Sequence, residues 1–285
     1  MNVHTASTLD THTLLDLALQ IVSEASDIVL AVKEKGFHTQ KKADCSPVTE
    51  ADHASEAHIL SRLRRACPEI EAISEEEFSS GIHPNVNGTY WLIDPLDGTR
   101  GFANGGDDFA INIGLISGGE PIIGAVAIPA FGQIYGGGKN LGAFYQDSDG
   151  RHPIQVSDIP EEGLRVLASF YYGSEDELKK FLTKQNIQSI DCFGSAIKII
   201  RVAEGQADFY PRFGPTMEWD TAAPQAILEA AGGQIYTIDG MRLTYGKPGR
   251  LNSPFFCSGK TQILSSASES TEPKDKISEL RHHKD

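Results

Sequence analysis

The run Asp94-Pro95-Leu96-Asp97-Gly98-Thr99 sets two carboxylates three residues apart around a proline, which fixes φ and has no amide proton, so the chain must turn there. Such a turn can face both aspartates to one side, and it leaves the Leu96 carbonyl able to join them. Hard oxygen donors of this kind suit magnesium, which prefers carboxylates, carbonyls and retained waters. Gly98 and Thr99 then open a short helical turn, offering unpaired amides and a hydroxyl to a phosphate. The same six residues also read as two overlapping turns that need no metal, because Asp-Pro and Asp-Gly are common turn formers.

Three further acidic groups stand at the ends of predicted elements. Ser74-Glu75-Glu76-Glu77 follows the short run Glu71 to Ile73; a glutamate run is ordinarily a solvated face, and only Glu75, nearest the strand end, is a candidate ligand. Trp219-Asp220-Thr221-Ala222-Ala223 opens an Ala-rich helix, where an aspartate also favours the macrodipole with no further role. In Thr49-Glu50-Ala51-Asp52 the spacing of Thr49 and Asp52 fits a capping box. Gly136-Gly137-Gly138-Lys139 lacks both flanks of a Walker loop, with Gln133 before it and Asn140 after it, and reads as a hairpin turn. Neither a serine-hydrolase elbow nor a zinc-protease helix motif is present, and the nine histidines are scattered.

Elements able to hold these groups can be read from periodicity. Apolar residues from Leu14 to Val32 recur at helical steps and Gly36 follows as a stop; a second helix starts after Thr49, with Ala57, Leu60, Leu63 and Ala66 on one face, and ends near Pro68. Tyr90 to Ile93, Phe109 to Ile116, Ile122 to Ile128, Gln133 to Tyr135 and Ala143 to Tyr145 are short β-rich runs between turn signals, which predicts an antiparallel meander. After Pro153 strands at 165–168, 187–191 and 207–210 interleave with helices at 175–184, 195–203 and 219–231. Residues 266–285 are polar and poor in large apolar side chains, so a mobile tail is expected.

Composition narrows the class. The chain of 285 residues is long enough for one large or two intimate domains, and its 40% hydrophobic and 22% charged content is that of a globular protein. A net charge of −14 opposes capture of a nucleic acid polymer or an anionic membrane, so an anionic substrate would need recruited cations. The cysteines Cys45, Cys67, Cys192 and Cys257 show no zinc spacing and fit a reduced, cytoplasmic protein. No signal peptide or spanning run of roughly 18 apolar residues is seen.

Taken together the clusters resemble the lithium-sensitive, magnesium-dependent phosphatase superfamily of inositol monophosphatase. Trp91-Leu92-Ile93-Asp94-Pro95-Leu96-Asp97-Gly98-Thr99, running on to Phe102, carries the likeness, as does Trp219-Asp220-Thr221-Ala222-Ala223, running on to Gly232-Gly233. Within that superfamily the chain is most similar to the 3′(2′),5′-bisphosphate nucleotidases. That likeness rests on Lys42-Ala43-Asp44, residues 46–52, Ser74-Glu75-Glu76, residues 194–198, residues 203–208, residues 210–216 and Leu251-Asn252. It implies a layered α-β-α-β-α sandwich of the sugar phosphatase type. An α+β half, 1–150, would carry most metal ligands, and an α/β half, 151–265, would complete the site.

The resemblance further implies that Glu75, Asp94, Asp97, Asp220 and the Leu96 carbonyl bind two or three magnesium ions. Asp52 and Thr99 would position and deprotonate the attacking water. Asp97, Gly98, Thr99 and Asp220 would meet the substrate around the scissile phosphate, and Ser195, Lys198 and Arg212 would contact the nucleoside and its second phosphate. Without the resemblance, Lys198 and Arg212 read as a surface helix lysine and a loop arginine. The implied reaction converts 3′-phosphoadenosine 5′-phosphate to AMP and phosphate, a step of sulfur metabolism. The alternatives are an inositol phosphate phosphatase of the same fold and an inactive metal or nucleotide sensor. Two stretches depart from the pattern: Ser169-Phe170-Tyr171-Tyr172 lacks the expected histidine, and the loop holding Arg100-Gly101 and Gly105-Gly106-Asp107-Asp108 is expected to be more flexible. The partner is a small phosphate ester, and the oligomeric state is left open.

Overall fold

The computed structural model describes residues 10–42, 46–86, 88–170, 178, 182–183 and 185–260. The expected tail at 266–285, most of the expected helix at 175–184, and Ala43, Asp44, Cys45, Tyr171 and Tyr172 lie outside them.

Helix α1 spans Thr11–Lys35; the Asp10 side chain accepts from the Thr13 amide at 3.0 Å, and Gly36, at φ +83°, ends it. Its stripe of Leu15, Ala18, Val22, Ala25 and Val29 is buried. After the short strands β1, Thr39–Lys41, and β2, Pro47–Thr49, helix α2 runs over Glu50–Ala66 from the expected Thr49–Asp52 capping box. Its buried face is Ala51, Ser55, Ile59, Leu60 and Leu63, whereas Ala57 and Ala66, expected on that face, are exposed. Ile59 and Leu63 lose more than alanine by facing water, and they set the roll of the helix.

A seven-stranded sheet follows: β3 (Glu71–Ser74), β4 (Thr89–Asp97), β5 (Ala110–Ser117), β6 (Glu120–Ile128), β7 (Gln133–Gly138), β8 (Gly142–Asp147) and β9 (Gly150–Pro153), in that spatial order. The meander is antiparallel as expected, except that β3 pairs parallel to β4. Short helices α3, Glu75–Ser79, and α4, Thr99–Ala103, leave the ends of β3 and β4. The glycine run 136–138 lies inside β7 rather than in a hairpin turn, which is formed at 139–141. A Cβ on Gly136 would stand 2.7 Å from the Phe144 ring, so packing rather than turning requires glycine there.

The second half supplies β10 (Leu164–Ser169), β11 (Ile187–Phe193), α5 (Ile197–Ala203), β12 (Phe209–Arg212), α6 (Glu218–Ala230), β13 (Gln234–Thr237) and β14 (Phe255–Ser258). Its strands form a five-stranded sheet in the order β11-β10-β12-β14-β13, whose last two members sequence pattern did not mark. The alternation of side chains resolves the layers. Ile111, Ile113 and Leu115 of β5 face α1 and α2, while Ala110 shares a core with Ile197 and Ile200 of α5, Ala223 and Ile227 of α6, and Tyr210 and Phe255 of the second sheet. On that sheet's other face Val166, Phe209 and Phe256 bury Leu178 and Leu182. This is the expected layered α/β sandwich. Helix α6 lies so close to the first sheet that a Cβ on Gly124 would stand 2.1 Å from the Ala223 carbonyl oxygen. No helix among the described residues is long and apolar enough to cross a membrane.

Candidate active site

The carbonyl ends of β3 and β4 and the start of α6 open on one cavity of about 720 Å³. It is lined by Glu75, Asp94, Leu96, Asp97, Gly98, Thr99, Ser195, Lys198, Arg212 and Asp220, so every predicted site residue but Asp52 reaches its wall. Asp94 is the last residue of regular β4 pairing, opposite Asn112, and the register breaks between it and Asp97. The turn expected of Asp-Pro is instead an irregularity inside β4, which continues to Asp97, and the Asp94 carboxylate accepts the Leu96 amide at 3.1 Å. Asp97 accepts the Ala196 amide, and Asp220 accepts the Met217 amide at 2.9 Å as an N-terminal helix cap. Capping and lining the cavity are therefore compatible roles.

These carboxylates are held near one another out of water. Burial, then the charges of Glu75, Asp97 and Asp220, push the Asp94 carboxyl well above the usual carboxylate range. Burial, then Asp97 and Glu75, do the same to Asp220. Burial also raises Asp97, against the pull of Lys198 and the Ala196 amide. Glu75 has a cation in contact: Lys42 Nζ stands 2.6 Å from Glu75 and 2.6 Å from Glu76. Glu76 is buried, contrary to the solvated face expected of the glutamate run, while Glu77 pairs outward with Arg64. Burial, then the Glu75 charge, raise the Glu76 carboxyl to about 7. Lys42 was read only as part of a matching stretch, and its role as clamp was missed because its contacts lie more than 30 residues away.

Among the described residues no three Asp, Glu, His or Cys side chains form a ready cage for one ion. Each of Asp94, Asp97 and Asp220 gives one oxygen to a backbone amide, and Glu75 is engaged by Lys42. The remaining oxygens are unlike a calcium-type cage and fit magnesium, which takes one or two carboxylates and completes its shell with water and phosphate. Like charges buried together are costly to hold, and bound cations relieve that cost.

Asp52 lies behind the wall. Its Oδ2 accepts from the Thr49 amide at 2.8 Å and hydroxyl at 2.7 Å, and its Oδ1 accepts from Thr99 Oγ1 at 2.8 Å. Burial raises its pKa against those donors. Thr99 Oγ1 also stands 2.9 Å from the Leu96 carbonyl. Its single proton can serve either acceptor, and a ligand drawing on the carbonyl would commit it to Asp52.

Lys198, which also lines the cavity, is neither on the surface nor free to swing: it is 2% exposed, and its Nζ donates to the Phe193 carbonyl at 3.0 Å and the Ser195 carbonyl at 2.7 Å. Arg212 belongs to β12 rather than a loop and is buried; it donates to the Gly214 and Pro215 carbonyls and to Ser169 Oγ. Ser169 thus braces the guanidinium, and Phe170, half exposed, lines the cavity beside it. The 100–108 loop is tied to α1 by Lys33, which reaches Asp107 and the Gly106 carbonyl.

The family model described as the inositol monophosphatase family matches residues 10–272. The chain belongs to that family. Among curated relatives, the 3′(2′),5′-bisphosphate nucleotidase CysQ of Escherichia coli strain K12 is 37% identical over 81% of this chain and 94% of its own. The protein of the same name from Haemophilus influenzae is 30% identical over 87% of this chain and 93% of its own. Among solved structures, CysQ from Bacteroides thetaiotaomicron, a bacterial inositol monophosphatase family member, superposes with a TM-score of 0.74 at 28% identity, covering 88% of this chain and 98% of its own. Inositol monophosphatase from Anabaena gives 0.73 at 27% identity, with coverages of 90% and 94%. Family membership makes the shared cavity the place to look for phosphatase chemistry.

Proposed function

We propose that the protein is a magnesium-dependent 3′(2′),5′-bisphosphate nucleotidase that removes the 3′-phosphate of 3′-phosphoadenosine 5′-phosphate. The observation that carries this reading is one cavity lined by two kinds of group: the carboxylates of Glu75, Asp94, Asp97 and Asp220, and the buried basic side chains of Lys198 and Arg212. A single phosphate held by metal needs no further basic groups, so Lys198 and Arg212 are left for a second one. The nucleotidase relatives, from 30% to 37% identical, agree with it.

Glu75, Asp94, Asp97, Asp220 and the Leu96 carbonyl would hold the metal. Divalent ions bound there supply Lewis-acid stabilisation of phosphoryl oxygens and a lower pKa for an attacking water. The chain's own part is proton handling and alignment. Thr99 Oγ1 accepts a proton from the water while passing its own to Asp52 Oδ1, whose raised pKa suits it to take one. Gly98 and Thr99, at the start of α4, offer amides to the scissile phosphate. Lys198 and Arg212 grip the phosphate that stays, arginine with a planar pair of donors, which fixes the sugar and its 3′-ester in line with the water. The water oxygen bonds to phosphorus as the ester phosphorus–oxygen bond breaks, the ribose oxygen takes up a proton from solvent, the proton held by Asp52 is returned to solvent, and inorganic phosphate leaves.

Most ligands in this reading come from residues 1–150, with 151–265 completing the site. Magnesium as the metal, lithium sensitivity, cytoplasmic location and a part in sulfur metabolism rest on the family resemblance. Phosphate release from 3′-phosphoadenosine 5′-phosphate and from inositol 1-phosphate, side by side with magnesium, tests the proposal. Preference for the nucleotide is expected, and a preference for inositol 1-phosphate would sink it.

A further inference from the structure

We propose that Asp108 is a positioning residue that sets the second-phosphate grip by pinning the turn 194–196, an inference that rests on the bisphosphate reading of the cavity. The turn carries Ser195 and leads into α5, where Lys198 stands. Among the described residues Ser195 is one of three non-glycine residues in the left-handed region, at φ +44°, a conformation that persists only where its surroundings over-determine it.

Two carboxylates from the first half of the chain provide that constraint. Asp108 Oδ2 accepts the Gly194 amide at 2.8 Å across 86 residues, and Asp97 Oδ2 accepts the Ala196 amide across 99 residues. Ser195 is straddled by the two bonds. The Asp108 main chain is wedged into the same place: its carbonyl oxygen lies 2.7 Å from where a Cβ would stand on Gly98 and 2.7 Å from where one would stand on Gly194. Glycine at both positions admits that contact. The phosphate-facing Gly98 turn, the 108 segment and the Ser195 turn therefore form one packed unit.

The consequence for Lys198 is direct, because its ammonium hydrogen bonds are to the Phe193 carbonyl, in the same peptide group as the amide Asp108 holds, and to the Ser195 carbonyl, in the same peptide group as the amide Asp97 holds. Releasing Gly194 frees the peptide that carries the Phe193 acceptor and leaves the Ser195 acceptor held on one side only. The ammonium is buried and cannot find replacement partners in water, so the grip, rather than the carboxylate set, takes the loss. Asp108 thus acts through the turn, without touching the reacting atoms.

The test compares wild type, Asp108→Ala and Asp108→Asn, each with magnesium, on 3′-phosphoadenosine 5′-phosphate and on 3′-AMP, which lacks the 5′-phosphate. Asp108→Ala should raise KM for the bisphosphate about ten-fold or more while kcat stays within about three-fold, as expected for loss of a hydrogen bond to a charged group. On 3′-AMP its KM should move by less than about three-fold. Asp108→Asn keeps an oxygen acceptor for the Gly194 amide and should recover most of the bisphosphate KM. Hydrogen exchange at the Gly194 amide should quicken in Asp108→Ala and stay near wild type in Asp108→Asn. Equal KM losses on both nucleotides, a loss confined to kcat, or unchanged Gly194 exchange would overturn the inference. A wild-type enzyme with no preference for the bisphosphate over 3′-AMP would instead overturn the two-phosphate reading, while the exchange result still decides the tether.

Discussion

Thr99 Oγ1 and Asp52 Oδ1 stand 2.8 Å apart although 47 residues separate them in the chain. Asp52 is simultaneously the capping-box residue of α2, its other oxygen filled by the Thr49 amide and hydroxyl. The cap occupies Oδ2 and leaves Oδ1 to the Thr99 hydroxyl, which lines the cavity. In the proposed mechanism this helix terminus would double as the mount for the proton acceptor.

If that pair handles the proton of the attacking water, Thr99→Val should lower kcat by about two to four orders of magnitude with KM within a few-fold, the range for losing general acid–base help. Asp52→Asn should match it. The double variant should be little worse than either single one, because the two side chains act as a unit. Steady-state kinetics on the bisphosphate checks this, and full additivity would separate their roles.

Asp94 is buried among Glu75, Asp97 and Asp220, whose charges disfavour its ionised form. Asp94→Asn removes that repulsion along with a candidate ligand. Turnover should fall nearly to background, yet the metal-free variant should melt no lower than wild type, since an ionised carboxylate without a partner is costly to bury. Magnesium should raise the melting temperature of wild type more than that of the variant. Melting curves with and without magnesium read both effects; a variant as active as wild type would remove Asp94 from the ligand set.

Lys198 gives a pH signature. Burial, helped by the Arg212 charge, lowers its pKa from 10.5 to about 7, while Asp97 and Asp108 pull the other way. Above pH 7 the free site therefore loses the charge that a bound phosphate would favour. Nucleotide binding then takes up a proton, and KM for the bisphosphate should rise by up to about ten-fold per pH unit above 7, with a shallower rise for 3′-AMP. The stability sign follows from the same shift. Between the folded value of about 7 and the unfolded 10.5 the unfolded chain binds more protons, so this group's contribution grows as pH rises through the window and is lost as pH falls to 7. Lys198→Met should flatten the difference between the two KM profiles. Parallel profiles in wild type would deny Lys198 the second phosphate.

What could be read from the sequence follows a physical divide. Thr49–Asp52, Asp94–Thr99 and Trp219–Asp220 were legible because each is a local device, a cap or a strand irregularity whose partners lie within three residues. Lys42 against Glu75 and Glu76, Asp108 against Gly194, and Ser169 against Arg212 were not, because they join elements from 33 to 86 residues apart. Ala57 and Ala66 misled for a related reason: alanine tolerates either face of a helix, and only the packing of Ile59 and Leu63 decides. The glycines 136–138 looked like a turn because glycine marks both turns and close approaches, and the neighbouring Phe144 that distinguishes them sits on the next strand.

The close seat of α6 on the first sheet gives the last prediction. Asp220 owes its place at the cavity to that seat, three residues before Ala223, whose carbonyl oxygen lies 2.1 Å from where a Gly124 Cβ would be. Neither partner can yield cheaply, because the clash is between backbone segments and both faces are packed. Gly124→Ala should therefore cost about 3 kcal/mol or more in urea unfolding, at or beyond the upper end for overpacked cores. The residual folded protein should also lose kcat, because relief requires α6 to move outward and to carry the Asp220 carboxylate away from Asp94 and Asp97. Activity per folded molecule distinguishes this from simple destabilisation: a fall of about ten-fold or more is expected, since small misplacements of positioned groups have large kinetic effects. Unchanged activity in the folded fraction would show that the sheet yields instead, and that the glycine sets stability alone.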